Sequence, residues 1–110
     1  MTEIPDLERL SWADFEPHIG SRFALFGEDD AVISTRLLSC VEKPSSTMPE
    51  SSRTAFTLIL EAEDAAAAMV WGGAFLLRHD ILGKIGPLYV ERVLSVTAGT
   101  RHPAFQVIFN

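Results

Sequence analysis

The fold class is decided by the last eight residues, Pro103-Ala104-Phe105-Gln106-Val107-Ile108-Phe109-Asn110. The apolar side chains of Phe105, Val107 and Phe109 occur at every second position, which is the spacing of a β-strand with one face on a core. A strand needs hydrogen-bonded neighbours for its backbone groups. We therefore expect this segment to complete a sheet that earlier strands have begun.

Earlier segments carry strand signals of the same kind. They are 22–26, 31–41, 55–61, 74–80 and 84–97. The longest of them is interrupted by Gly86-Pro87, which predicts a bulge or bend because proline cannot donate to a sheet ladder. About six strands joined by short loops are typical of a small antiparallel barrel or roll. The fold class is therefore mainly β.

Alternation within these strands predicts which side chains face the core. In the 31–41 strand one face holds Ile33, Thr35, Leu37, Ser39 and Val41. In the 55–61 strand the inward residues are Phe56, Leu58 and Leu60, and in the 74–80 strand Phe75, Leu77 and His79 share one face.

A short helix is predicted over residues 11–18. Ser11 is an N-cap candidate, and Asp14 stands three residues later as a capping box requires. Trp12, Phe15 and Ile19 form one apolar stripe, and so short a helix needs that stripe to dock on the sheet. A polar flexible loop is expected over 44–53, and a helical turn over 65–69.

Composition favours one domain over residues 1–110, since 47 % of the residues are hydrophobic. The formal net charge is −6, and no stretch of sequence collects a Lys/Arg stripe, which argues against nucleic-acid binding. A single cysteine excludes an intrachain disulfide. No secretory signal or membrane span is visible, so we expect a soluble, cytoplasmic protein, with export lacking a cleaved signal as the alternative.

The best candidates for chemistry are His79, Asp80 and His102. Two imidazoles and a carboxylate can bind zinc or act as an acid–base pair if the fold brings them together. The plainer interpretation of His79 is a buried histidine that bonds to backbone, because it shares a strand face with Phe75 and Leu77. No metal or other cofactor is predicted outright.

Two further groups have plain explanations. Cys40 lies inside a predicted strand and is interpreted as a packed thiol, not as a nucleophile. The carboxylates of Glu28, Asp29 and Asp30 suggest a calcium site, but they lack EF-hand spacing and suit a solvated hairpin tip.

Partner-binding candidates are Trp71, Leu76 and Met48. Trp71 adjoins two glycines and serves either as an exposed apolar ledge or as a plug for the barrel. Leu76, together with Ile59 and Ile108, is expected on the faces opposite the core. An unpaired sheet edge is another candidate, because it can accept a partner's strand.

Several short motifs are spread along the chain. They are Asp14-Phe15, Pro17, Ile19-Gly20, Phe23, Phe56-Thr57-Leu58, Gly73-Ala74-Phe75, Arg78-His79, Leu82-Gly83 and the terminal Phe105–Asn110. Together they resemble a family of small bacterial proteins described only as a domain of unknown function. Genes of such proteins often lie beside those of phage-tail-collar-like proteins, so the resemblance implies a role with an extracellular or tail-fibre-like assembly. It implies no catalytic residue. The loop at 44–52 and the interruption at Gly86-Pro87 depart from the family pattern.

The sequence thus predicts a non-enzymatic protein-interaction or assembly module with a protein partner or a second copy of itself. The alternative is a small-molecule or metal-binding β-barrel, such as a hydrolase or isomerase, that uses His79, Asp80 and His102.

Overall fold

The computed structural model describes residues 10–27, 32–43, 54–63, 72–93 and 102–109. A helix α1 (Trp12–Phe15) runs into a 3₁₀ turn (Glu16–His18). Six strands follow: β1 (Arg22–Phe26), β2 (Val32–Glu42), β3 (Phe56–Ala62), β4 (Gly72–His79), β5 (Gly83–Val93) and β6 (Ala104–Phe109). The mainly β class, the six strands and the short N-terminal helix are confirmed. The predicted loop at 44–53 and helical turn at 65–69 lie outside the described residues.

The six strands form a closed barrel in the order β1-β2-β3-β6-β5-β4. Every neighbouring pair is antiparallel. The barrel closes where β1 meets β4, with Ala24 opposite Arg78 and Phe26 opposite Leu76. No described strand is left as an unpaired edge, so the expectation of strand addition at an edge is wrong. Closure satisfies the backbone groups that an edge would expose.

The barrel interior is filled by the inward side chains that alternation predicted. Phe105, Val107 and Phe109 of β6 are buried, as are the three predicted inward residues of β3. Their registers match, since β3 and β6 pair from Phe56–Phe109 to Glu61–Ala104. The terminal strand is therefore an integral wall of the core.

Strand β2 departs from strict alternation. Leu37 pairs with Leu60, but Ser39 pairs with the adjacent Ile59, so one extra residue is inserted between them. After this bulge, the residues of β2 that would have pointed outward point inward, and the reverse. Cys40 then points into the core, and Val41 is 46 % exposed, so the prediction that Val41 shares a face with Leu37 is wrong.

The predicted irregularity around Gly86-Pro87 is confirmed. Pairing between β4 and β5 slips between Phe75 and Leu77, opposite these two residues. Gly86 has a φ of +134°, which glycine adopts without steric cost.

Helix α1 closes one end of the barrel with Phe15. This side chain is fully buried, and its ring centroid lies 6.4 Å from that of Phe23, 5.7 Å from Phe56 and 5.5 Å from Phe109. Packing of one aromatic ring on three strands supplies the docking that so short a helix requires.

Polar contacts hold α1 in this position. The backbone N–H of Ser11 donates to Asp14 at 2.8 Å, as the capping box predicted, and the Trp12 indole N–H donates to the Cys40 carbonyl at 2.7 Å. Ile19, predicted to continue the apolar stripe, is instead exposed. It lies beyond the 3₁₀ turn, where the backbone is extended and helical spacing no longer applies.

Candidate functional site

His79, Asp80 and His102 do not come together. His79 lies opposite Gly83, the first residue of β5, whereas His102 precedes β6 at the end where Val93 finishes β5. The length of β5 separates the two imidazoles, roughly 30 Å of extended strand. Across the described residues, no three His, Cys, Asp or Glu side chains are grouped so that they could hold a metal ion. The site suggested by these three residues does not form.

Each of the two histidines has a local structural role. His79 is only 6 % exposed, and its Nδ1 accepts hydrogen bonds from the backbone N–H groups of Ile81 (3.1 Å) and Leu82 (3.2 Å). His102 donates from Nδ1 to the Ala62 carbonyl at 2.8 Å. The interpretation of His79 as a buried histidine bonded to backbone is confirmed.

The environment of His79 favours its neutral form. Burial lowers its pKa below 6.5, and the neighbouring His18 lowers it further, while Asp80 opposes the shift. The ring centroids of His18 and Phe23 each lie 4.5 Å from that of His79. Because Nδ1 accepts two hydrogen bonds, the proton of the neutral ring stays on Nε2.

Cys40 is a packed thiol. Burial, and to a smaller extent the carboxylates of Glu16 and Glu42, raise the pKa of Cys40 to about 11. Its Sγ–H donates weakly to the Trp12 carbonyl at 3.8 Å. A thiol held protonated in this way is a poor nucleophile, which agrees with the prediction from its position in a strand.

The outer wall carries three exposed apolar side chains and one half-buried threonine in a row across neighbouring strands. Thr57 of β3 pairs with Val41 of β2 and with Ile108 of β6. Tyr89 continues the row on β5, because its neighbour Val90 pairs with Val107. Tyr89 is 70 % exposed and Ile108 53 %. We call Val41, Thr57, Ile108 and Tyr89 the outer apolar patch.

A shallow pocket adjoins this patch. It has a volume of about 310 Å³ and is lined by Tyr89, Glu91, Gln106 and Ile108. Sequence reasoning selected Ile108 and missed Tyr89 and Glu91. The alternation of residues 88–91 is the signal that could have placed these two on the outer face, but it does not show their neighbours on other strands.

Comparison with protein families identifies the family of this chain. A family described as a domain of unknown function, DUF6916, matches residues 10–109. The chain belongs to the DUF6916 family. No curated protein and no solved structure gives a significant match. Among the described residues of this DUF6916 domain, no helix is long and apolar enough to cross a membrane.

Of the predicted partner-binding residues of this DUF6916 domain, the structure describes only Leu76. Leu76 is half-buried on the outer side of β4, opposite Phe26 of β1, and is therefore apart from Ile59 and Ile108 on β3 and β6. Trp71 and Met48 lie outside the described residues, as do the carboxylates at 28–30.

The neutral state of His79 predicts a pH dependence of stability. Below pH 6.5, the ordinary pKa of histidine, His79 is protonated in the unfolded chain but stays neutral in the folded chain. The free energy of unfolding therefore falls as the pH is lowered from 7.5 to 5.5. A single histidine can lower the free energy of unfolding by at most about 1.4 kcal/mol per pH unit. Urea unfolding at both pH values measures it. His79→Phe should flatten the decline, whereas His102→Gln should retain it, and an unchanged slope in His79→Phe would contradict the assignment.

Proposed function

We propose that this protein is a non-enzymatic interaction or assembly module that binds a protein partner through the outer apolar patch. The observation that carries the proposal is the exposure of Tyr89 beside Ile108 on the wall of a barrel whose interior is filled. Exposed apolar side chains that adjoin one another are typical of interaction surfaces, and tyrosine is favoured at the centres of such surfaces.

The pocket beside the patch suggests the chemistry of the partner. Tyr89 and Ile108 provide apolar walls, and Glu91 and Gln106 provide hydrogen-bond acceptors. A lysine or arginine fits this combination, because its aliphatic stem packs on apolar surface while its charged head reaches the Glu91 carboxylate and the Tyr89 ring. The net charge of −6 also favours approach of a basic segment. The partner is therefore a protein that presents a basic residue among apolar ones.

The resemblance described from the sequence supports a particular partner. Genes of the resembled family often lie beside those of phage-tail-collar-like proteins, so a protein of that kind is the first partner to test. Self-association through the same patch is the form that an assembly module would take without that partner.

Co-expression with a phage-tail-collar-like protein tests the proposal. Wild-type protein should retain it during purification, and Ile108→Asp should weaken the interaction at least tenfold, about 1.4 kcal/mol, because it places a charge in the apolar patch. The matched control is Val32→Asp, an equally exposed position outside the patch, which should bind as wild type does.

Light scattering on the same variants gives the oligomeric state. A wild-type oligomer that dissociates in Ile108→Asp and persists in Val32→Asp would identify a second copy as the partner. A wild-type chain that binds neither itself nor the collar-like protein would contradict the proposal, as would binding that Ile108→Asp and Tyr89→Ala leave unchanged.

A further inference from the structure

Cations from distant parts of the sequence meet on the wall formed by β2, β1, β4 and β5. Arg22 of β1 pairs directly with Arg36 of β2, and Arg78 of β4 pairs directly with Lys84 of β5. Ala24 links the two pairs, since it lies opposite Arg78 and two residues after Arg22. All four cationic residues are exposed. We call Arg22, Arg36, Arg78 and Lys84 the basic face.

This arrangement opposes folding stability. Like charges directly across a sheet destabilise it, and here two such pairs are adjacent in a chain that carries 15 acidic residues and only 9 Lys and Arg. Only Arg22 of the four has an ion pair within the described part of the chain, from its Nε to Oε1 of Glu63 at 2.9 Å. Arg36 also lies directly opposite Glu61 on β3, so among the described residues the like-charge pair without such an acidic neighbour is Arg78 with Lys84. A local arrangement that costs stability is expected at a functional site.

A groove lies within the basic face. It has a volume of about 320 Å³, at the lower end of the range for small-molecule sites. Its lining includes Arg22, Arg78, Ser34, Phe26 and Asp80. Arg22 lies two residues before Ala24 on β1, and Arg78 lies opposite Ala24 on β4, so both arginines adjoin the small side chain of Ala24.

We propose that this groove binds a small anion through a phosphate or carboxylate group held by Arg22 and Arg78. The ion pair with Glu63 uses Nε of Arg22, and within the described part of the chain both terminal nitrogens of its guanidinium remain available. Two guanidinium groups can each donate paired hydrogen bonds to such an anion. The Ser34 hydroxyl supplies a further donor.

The acidic groups restrict the class of ligand. Asp80 lines the groove and Glu63 holds Arg22, so a polyanion laid along the basic face would meet two carboxylates. A compact anion avoids them by occupying the space between the arginines. Asp80 can then accept a hydrogen bond from a hydroxyl or amine elsewhere on the molecule. The ligand is therefore a small phosphorylated or carboxylated compound with a donor group, not a nucleic acid.

Titration with inorganic phosphate and with citrate, followed by amide NMR at constant ionic strength, tests this inference. Saturable shifts are expected at Ala24 and Ser34, and the stronger of the two anions identifies the preferred group. Arg78→Gln should weaken binding at least tenfold without lowering the melting temperature, because it also removes a like-charge pair. Lys43→Gln removes the same charge from outside the groove and should bind as wild type does.

Three results would overturn the inference. They are the absence of saturable shifts with either anion, equal weakening by Arg78→Gln and Lys43→Gln, and tighter binding of a single-stranded oligonucleotide than of phosphate or citrate. The last result would identify the basic face as a polyanion surface. None of them bears on the outer apolar patch, which Ile108→Asp tests separately.

Discussion

Replacing Phe15 with alanine is expected to lower the free energy of unfolding by about 3–5 kcal/mol. Phe15 is fully buried and contacts aromatic rings from three separate strands. Its removal leaves a cavity where Phe56 and Phe109 stack 4.6 Å apart, and strands locked in a closed barrel cannot collapse to fill it. It also removes the contact on which the docking of α1 depends.

Equilibrium urea denaturation of Phe15→Ala measures this loss. Ile19→Ala is the matched control from the same segment, because Ile19 is exposed and its truncation should change stability by less than about 0.5 kcal/mol. If Phe15→Ala fails to fold, Phe15→Leu provides the smaller truncation, with an expected loss of about 1–2 kcal/mol. A Phe15→Ala variant as stable as Ile19→Ala would show that α1 does not close the barrel.

Substitution of Gly72 by alanine is expected to destabilise the fold more than the same change at Gly73. Both glycines have positive φ angles, +149° and +137°, so alanine at either position costs about 1–3 kcal/mol of backbone strain. Only at Gly72 does the added Cβ also meet backbone, 2.5 Å from the Val90 carbonyl oxygen, whereas at Gly73 the nearest atom is a Phe75 ring carbon at 3.9 Å. The clash adds about another 1–3 kcal/mol.

The difference between the two alanine variants isolates the clash from the strain that they share. Thermal and urea unfolding of both proteins give the comparison, and equal losses would mean that β4 and β5 are not in close contact at Gly72. The sequence analysis started this strand at residue 74, after both glycines. In the structure β4 already begins at Gly72, and this residue must be glycine because β5 approaches it closely at Val90.

Much of the barrel could be predicted from local patterns. The inward faces of β3 and β6 and the position of His79 beside Phe75 and Leu77 follow from the pleat of a strand, which places alternate side chains on opposite faces whatever their partners are. The capping pair Ser11 and Asp14 is equally local. These features depend on residues a few positions apart, so a single sequence contains the information they need.

The bulge in β2 could not be predicted in this way. Its extra residue between Leu37 and Ser39 is defined by the register with Leu60 and Ile59 of β3. Alternation in β2 alone gave no sign of it, and Val41 was therefore predicted on the wrong face. In the structure Val41 is therefore not a core residue but part of the outer apolar patch.

The sequence by itself determined the strands, the inward faces of β3 and β6 and the short helix, because the physical constraints on these are local. Only the tertiary structure decided which side chains meet across strands. It separated His79 from His102, and it gathered the four cations of the basic face and the four members of the outer apolar patch. The reason is that barrel closure sets the register between strands distant in the chain, and register determines every cross-strand neighbour.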